Sequence, residues 1–486
     1  MARIVILGAG ISGHTAALHL RRKLSKHHDV VVVSPNSKWN WIPSNIWVGV
    51  GKMSKEQVTF PLAPIYRRRH IEFHQALATE IHPEGTTENP RAFVSVRYTD
   101  PTRAGEDATL EYDYLINATG PKLNFQATPG LGPDGGHTVS VCSAEHAVDA
   151  RARLHESIEA MRQGRRQTLV IGMGHGTCTC EGAAFEYAFN VEHELRQAGV
   201  RELADVVYFT NEAELGDFGV GGMTFGQQGF ETTSKLWTES IFRERGVRAV
   251  LGAHAERIEE GVIHYEQLDG THHELAFDFA MLLPPFRGAG LSVFDRDGVD
   301  VSDKVFLPSD FMRVDGSYDA KPFEEWRASD WPETYESPAY PNVFAVGIAF
   351  APPHQISRPR TSPAGTVITP APPRTGMPSG VMGKTVALTI IDRIKMGETA
   401  SAHHASMASM GAACVASAGT GLRKGSAAAM TMYPVVPDYQ TYPQSGRSLK
   451  DTTGEIGLAG HWIKFMLHVM FIYKAKARPL WFLIPE

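Results

Sequence analysis

Short apolar runs, glycine-rich turns and longer helix-like stretches succeed one another along most of this chain. The first run is Ile4-Val5-Ile6-Leu7. Gly8-Ala9-Gly10-Ile11-Ser12-Gly13 follows directly, and Ala16 to Leu24 then reads as helix. Strand, glycine turn and helix in this order make a cradle for a dinucleotide, whose pyrophosphate rests on the helix N-terminus. Gly8 serves the tight turn, Gly10 the close approach of backbone to phosphate before Ile11 and Ser12, and Gly13 the packing of helix on strand. Val30 to Val33 is the second strand of the unit. Many such sites place an acid after it to hold a ribose hydroxyl; Ser34-Pro35-Asn36 stands here instead, leaving Ser34 or Asn36 for that role and arguing against NAD at this first site.

The layout returns further on. Thr168-Leu169-Val170-Ile171 is a strand, Gly172-Met173-Gly174-His175-Gly176 a second glycine turn, and Gly182 to Leu195 a helix-like stretch. Val206-Val207-Tyr208-Phe209 and Phe277 to Leu283 supply further strands. Two such units about 160 residues apart predict an α/β fold with two Rossmann-like, doubly wound domains. Between them an apolar strand from Tyr112 ends in Ala118-Thr119-Gly120, where small residues admit a bound nucleotide. Asn342 to Gly347 is a later strand, Ala351 to Pro378 a proline-rich loop, and Arg374-Thr375-Gly376 precedes a helix over Gly383 to Ile394. Ala400 to Ala429, rich in Ala, Ser, Gly and Met, reads equally as a linker or as a packed small-residue segment.

The C-terminal pattern is different. On a helix, His461, Lys464 and His468 form one narrow polar stripe, while Trp462, Phe465, Met466, Val469, Met470 and Tyr473 cover a wide apolar face. Lys474, Lys476 and Arg478 follow. No run of about 18 apolar residues exists to span a bilayer. Such a helix suits the plane of a membrane interface, with its cations near lipid phosphate. The alternative is a helix docked on the core or on a partner subunit, and a homo-oligomer is left open.

Composition mainly excludes. The 486 residues exceed a single core. A hydrophobic content of 43% and a charged content of 21% are ordinary for a globular protein, and a formal net charge of −6 gives no basic field for nucleic acid. Four cysteines make no disulfide framework, and no Cys/His spacing matches a metal site. The chain enters its first strand at once, which leaves no room for a signal peptide. Cys178 and Cys180 lie at the mouth of the second glycine turn, where an NAD pyrophosphate would otherwise rest, and a helix N-terminus favours the thiolate. Cys142 lies just beyond the interdomain crossing, and Cys414 in Ala-Ala-Cys-Val reads as structural.

With these motifs the chain resembles the sulfide:quinone oxidoreductases, in the wider group of two-dinucleotide flavoproteins that includes flavocytochrome c sulfide dehydrogenase. The most specific match is Pro43-Ser44-Asn45-Ile46-Trp47-Val48-Gly49-Val50-Gly51, a segment that packs by the FAD in that family. Cys142 with His146 matches its Cys-x-x-x-His, and Cys180 to Glu186 its Cys-x-Gly-x-Ala-aromatic-Glu. By that resemblance Cys180 is a redox cysteine and Glu186 an acid that handles protons. Thr119, Gly120, Gly347, Thr375 and Gly376 match flavin-contacting positions, and the C-terminal region is similar to the family's membrane-seating helices. The resemblance implies an FAD-binding domain in residues 1–120 and 330–399, a second Rossmann-like domain in 121–329, and a membrane-seating region in 400–486.

Three departures stand out. Gly347-Ile348-Ala349 puts alanine where common forms carry a second redox cysteine, Asp217 replaces a frequent histidine, and Arg374 replaces a lysine. Trp41 or Ile42 matches the covalent-flavin cysteine of the flavocytochrome, so FAD is expected to be non-covalent.

The expected chemistry is sulfide, or a sulfane-sulfur donor, taken up on Cys180 as persulfide and resolved by Cys142 or Cys178. Two electrons then pass to flavin and on to a membrane quinone approaching near Phe350, Pro352 and Met377. The expected location is peripheral, on the cytoplasmic face of an inner membrane. One rival is a type II NADH:quinone dehydrogenase, with Glu212 as ribose acid; another is a non-catalytic flavin-binding partner subunit.

Overall fold

The computed structural model describes residues 1–227, 229–420 and 424–486. Five parallel strands form the first sheet, in the order Val343–Ala345, Tyr114–Asn117, Arg3–Leu7, Asp29–Val33 and Glu72–His74. Ile4, Val5, Ile6 and Leu7 are all fully buried, which is why that run is continuously apolar rather than alternating: both faces of the sheet are covered. Helix α1 (Ile11–Lys23) follows the first strand. The second sheet is also parallel, in the order Val247–Val250, Ala204–Phe209, Gln167–Met173 and Phe279–Leu283. Helices α2 (Ala144–Arg162) and α3 (Glu181–Gln197) pack against it. Both predicted glycine units are therefore strand–turn–helix units at the C-terminal ends of parallel strands.

Helix α4 runs over Gly376–Met396, starting well before the expected Gly383. Gly376, Pro378 and Gly380 in its first turns disguise it as loop. Gly383 itself is required: a Cβ there would stand 2.2 Å from the Ser12 carbonyl oxygen, because α4 crosses α1 backbone to backbone.

Of the two readings of the small-residue segment, linker or packed segment, the structure shows the packed one. It forms most of a long antiparallel hairpin, Ala412–Thr420 and Lys424–Met432, with residues 421–423 outside the described residues. The hairpin belongs to a third sheet, in the order Phe230–Thr233, Thr224–Gln227, Thr453–Gly457, Lys424–Met432 and Ala412–Thr420. It lies between α3 and the last helix, α5 (Leu458–Ala475). Small side chains permit this on both faces. A Cβ on Gly182 would meet Cys414 Sγ at 2.7 Å, and one on Gly460 would meet the Ala427 Cβ at 3.0 Å.

The end of the chain docks on α1. His14 Nε2 reaches the Ala475 carbonyl at 2.7 Å, and Glu486 bonds His19 at 2.9 Å and Lys474 at 2.7 Å, all buried. The sequence pattern places Lys474 near lipid phosphate. It is instead buried, donating also to the Ile484 and Pro485 carbonyls, so that only Lys476 and Arg478 remain for that role.

Candidate functional site

The N-termini of α1 and α4 converge on one region. Gly8 has φ +103°, and a Cβ there would lie 2.1 Å from the Ala118 carbonyl oxygen, so the turn closes only around glycine. A Cβ on Gly10 would meet nothing within 4 Å, leaving open space before the first turn of α1. No side chain caps that helix and no acid stands in its first turn, so its N–H groups face the opening. Gly347 has φ +69°, and a Cβ there would lie 2.5 Å from Ser12 Oγ. Thr375, at the N-cap of α4, carries a buried hydroxyl with no partner.

Other expected cofactor residues have mixed surroundings. Gly120, at φ +73°, adjoins open space, while Thr119 donates through its hydroxyl to Asn117 Oδ1 at 2.8 Å. Ser34 is buried and Asn36 is exposed at the end of its strand. Pro43 lines a cavity described below. Ser44 and Asn45 are fully buried: Ser44 Oγ bonds His468 Nδ1 at 2.9 Å, and Asn45 pairs with Asn40 and donates to the Val141 carbonyl.

Cys180 occupies the N-cap of α3 in the left-handed conformation, φ 76°, unusual for a residue with a side chain. The Arg374 backbone lies within hydrogen-bond reach of its thiol, and Cys142 and Glu181 are its charged or ionisable neighbours. Cys180 thus adjoins the loop at Arg374 as well as packing, partly buried, against the hydrophobic core. Cys178 is fully buried and its thiol donates to the Leu283 carbonyl at 3.1 Å. The expected bias to thiolate is absent. Burial outweighs the helix N-terminus and pushes Cys180 up to about 12 and Cys142 up to about 11, with Cys178 also raised well above the usual thiol range. His146 lies edge-on to Phe125, with a buried and unpartnered Nδ1.

Beyond the loop lies a cavity lined by Trp41, Pro43, Thr375, Gly376, Met377, Lys464 and His468, with Phe471 and the hairpin's Ala412, Ala413 and Val415. Of the three residues expected around an acceptor, Met377 lines it, while Phe350 is buried elsewhere against Tyr335 and Pro352 is not in the lining. Arg374 also faces away, donating to the Phe350 carbonyl at 3.1 Å with its guanidinium 4.7 Å from the Phe311 ring centre. Glu186, in the second turn of α3, ion-pairs with Lys464 at 3.0 Å and accepts from the Ser417 N–H. Burial raises the Glu186 carboxyl, with Lys464 and Ser417 opposing. The polar stripe of α5 therefore points inward, with His461, Lys464 and His468 all buried. Sequence spacing identified the stripe but not its destination, because nothing in periodicity says which face meets the core.

The second glycine turn is closed. Thr128 Oγ1 donates to the Gly174 carbonyl at 2.7 Å and Thr369 N to the Gly176 carbonyl at 2.8 Å; Gly176 N donates to His254 Nδ1 at 2.9 Å. A Cβ on Gly176 would lie 2.5 Å from the Val367 carbonyl oxygen, so the 360–371 segment covers the turn. Glu212 is fully buried and accepts from Tyr208, Thr210 and the Phe218 N–H; burial raises it to about 7. Asp217 bonds Ser357 and the Gly219 N–H beside it. Among the described residues no group of His, Cys, Asp and Glu could hold a metal.

The pyridine nucleotide-disulphide oxidoreductase family matches residues 2–284. The sulfide-quinone reductase of Aquifex aeolicus (strain VF5) is 29% identical over 392 residues, 81% of this chain and 76% of that protein. The X-ray structure of the sulfide:quinone oxidoreductase from the same organism superposes with a TM-score of 0.74 at 26% identity, covering 98% of this chain and 92% of that one. NDH2 from Plasmodium falciparum shares the fold, with a TM-score of 0.63 at 12% identity over 99% of this chain and 97% of that one. The family implies FAD, and the open glycine cradle at Gly10 and the orphaned Thr375 hydroxyl fit such a group. The chain belongs to the pyridine nucleotide-disulphide oxidoreductase family, as a flavoprotein oxidoreductase like the sulfide:quinone oxidoreductases.

Proposed function

We propose that this protein oxidises sulfide, or a related sulfane-sulfur donor, and passes the electrons to a membrane quinone. The reading is carried by the four residues 374–377. The backbone of Arg374 adjoins the Cys180 thiol, while Thr375, Gly376 and Met377 wall the cavity beside α5. On this reading sulfur reaches the cofactor at Cys180 and the acceptor reaches it from the cavity. Bound in its cradle, FAD would accept two electrons from sulfur and release them to the acceptor. The open N-terminus of α1 would hold its pyrophosphate, and Thr375 with the N-terminus of α4 would lie against its polar ring edge. With bound FAD as the two-electron oxidant, Cys180 would take up hydrosulfide as a persulfide with release of one proton, and Cys142 is the nearby thiol that would receive the outer sulfur. Burial holds both thiols protonated, so a base must take each proton before the sulfur attacks. Cys178, bonded to the Leu283 carbonyl, keeps the turn in shape.

The outer face of α5 supports a lipid-borne acceptor. Ile463, Phe465, Met466 and Val469 are 41 to 53% exposed, and Arg67, Arg68 and Arg478 are exposed as well. Arg68 also bonds the Lys476 carbonyl, which brings those arginines to the end of α5. An exposed apolar face with cations at the end of its helix suits an anionic membrane surface, and no helix among the described residues is long and apolar enough to cross a membrane.

The NADH-oxidising rival needs an open second glycine turn and an available ribose acid. Here the turn's carbonyls are bonded to Thr128, Thr369 and Asn211, and Glu212 is occupied. Rapid mixing separates the readings. Sulfide is expected to bleach the flavin and NADH to leave it oxidised, while Cys180→Ala keeps bound FAD and loses bleaching by sulfide. Bleaching by NADH, or undiminished bleaching of Cys180→Ala by sulfide, would reject the proposal.

A further inference from the structure

We infer that Glu181, the first residue of α3, is the general base that takes the Cys180 thiol proton as sulfur is taken up. The inference rests on the sulfur reading above, which needs such a base. Glu181 is fully buried, and neither of its carboxyl oxygens has a hydrogen-bond partner among the described residues. Buried polar groups are nearly always paired, so an orphaned carboxyl calls for an account. Packing does not supply one, since an apolar side chain would fill the same space without the cost of desolvating a carboxyl. The Asn211 amide stands near it but donates to the Gly176 and Cys178 carbonyls. Gly219 makes room for it: a Cβ there would lie 3.3 Å from Glu181 Oε2.

The carboxyl stands at the right place. Cys180 is the N-cap of the helix that Glu181 begins, and the charge of Glu181 acts on both thiols at that end, Cys178 and Cys180. Cys178 is committed, fully buried and bonded to the Leu283 carbonyl, whereas Cys180 is only half-buried. Glu186, one turn on, is held by Lys464 and the Ser417 N–H. Glu181 is the uncommitted carboxyl at the sulfur end of α3. The ionisable groups facing it are the two thiols, Glu212 and Asp217 from the loop after the Ala204–Phe209 strand, and the Tyr208 hydroxyl on that strand. Burial first, and then the charges of Glu212 and Asp217, raise the Glu181 carboxyl well above the usual carboxylate range. A carboxylate with a raised proton affinity is a better match for a thiol that burial pushes up to about 12. Once that proton has left, the Arg374 guanidinium is the cation whose charge favours the thiolate.

The balance closes. A bond forms between the Cys180 sulfur and the sulfur of hydrosulfide, and both S–H bonds break. Two electrons and one proton pass to bound FAD, the other proton passes to Glu181, and Cys180 is left as a persulfide anion. Glu181 gives its proton to solvent before the next turnover.

The experiment uses the purified holoenzyme. Flavin bleaching by sulfide is followed by rapid mixing. Alkylation of Cys180 by iodoacetamide, a neutral reagent that does not itself titrate, is followed across pH by mass spectrometry of the Cys180 peptide. Wild-type alkylation is expected to rise with pH and level off once Glu181 has lost its proton. Glu181→Gln keeps the shape and removes the base. At the pH of the wild-type plateau both its rates are expected to fall by about 100-fold, the usual contribution of a positioned base, with bound FAD retained. Its alkylation then climbs without a plateau toward the ionisation of the thiol itself near 12. A role as a mere charge predicts the reverse, because removing a negative neighbour eases loss of the thiol proton. Alkylation of Glu181→Gln as fast as wild type, or faster, would therefore overturn the inference. The wild-type profile decides even if Glu181→Gln loses its fold: a climb toward 12 with no plateau leaves no base at work. A wild type that sulfide fails to bleach overturns the sulfur reading and the inference with it, whereas a failed alkylation profile removes Glu181 alone.

Discussion

At His14 a single imidazole holds the first long helix against the last. The Ala475 carbonyl can only accept, so Nε2 carries the proton and Nδ1 accepts from the buried Tyr66 hydroxyl at 2.8 Å. Burial lowers the His14 pKa to about 4, against a small opposing pull from Ala475. The folded-state value lies below the unfolded one, so the stabilisation is fully present above about pH 6.5 and is lost as pH falls toward 4, by up to about 3 kcal/mol. Thermal unfolding followed across this window is expected to show the loss, and His14→Gln to be less stable at neutral pH with a shallower acid limb; an unchanged limb would contradict it. None of this is legible in the sequence, where His14 is one polar residue in a helix. Gly8, Gly10 and Gly13 are different. Their spacing states their purpose: Gly8 and Gly13 make backbone approaches that no Cβ would allow, and Gly10 keeps the space before the helix open.

At the scale of elements, α5 divides its two faces unusually: charged and imidazole side chains inward, Phe465, Met466 and Val469 outward. An apolar face left in water is a standing cost, relieved by lipid. Phe465→Glu with Met466→Glu is expected to abolish co-sedimentation with anionic vesicles, while high salt weakens wild-type binding only in part. Vesicle binding equal to wild type would refute a seat on this face. The helix itself was legible, since its stripe and its length are local properties. The hairpin was not. Ala, Ser and Gly carry neither a period-two nor a helical hydrophobic pattern, and Ala412–Thr420 becomes a strand because α3 and α5 come close enough that only small side chains fit between them. The start of α4 is hidden for the opposite reason: glycines that let it pass α1, with a proline among them, mask a helix that tertiary packing holds.

Across the whole molecule, the third sheet binds the C-terminal region to the second nucleotide-like unit. Arg447 is buried and donates to the Pro434, Val435, Val220 and Gly222 carbonyls at 2.8 to 3.1 Å. Arg447→Met takes the donor from four carbonyls, three of them on buried residues. The expected loss is roughly 3 kcal/mol or more of stability, measured by denaturant unfolding, with faster proteolysis near residues 433–452. Stability within about 0.5 kcal/mol of wild type would contradict it. The same assembly decides the chemistry, since α5 supplies Lys464 and His468 to a cavity whose other wall is α4, more than sixty residues earlier.

The sequence by itself determined the two strand–glycine–helix units, the pair of parallel sheets they build and the place of Cys180 beside the second turn. These follow from backbone sterics and short-range periodicity, which neighbours along the chain define. Only the tertiary structure decided that the second turn is roofed by 360–371, that burial keeps the thiols protonated, and that the polar stripe of α5 meets Glu186. Each of these depends on which distant segment removes water from a group, and solvation at a site is a property of the folded chain rather than of any window within it.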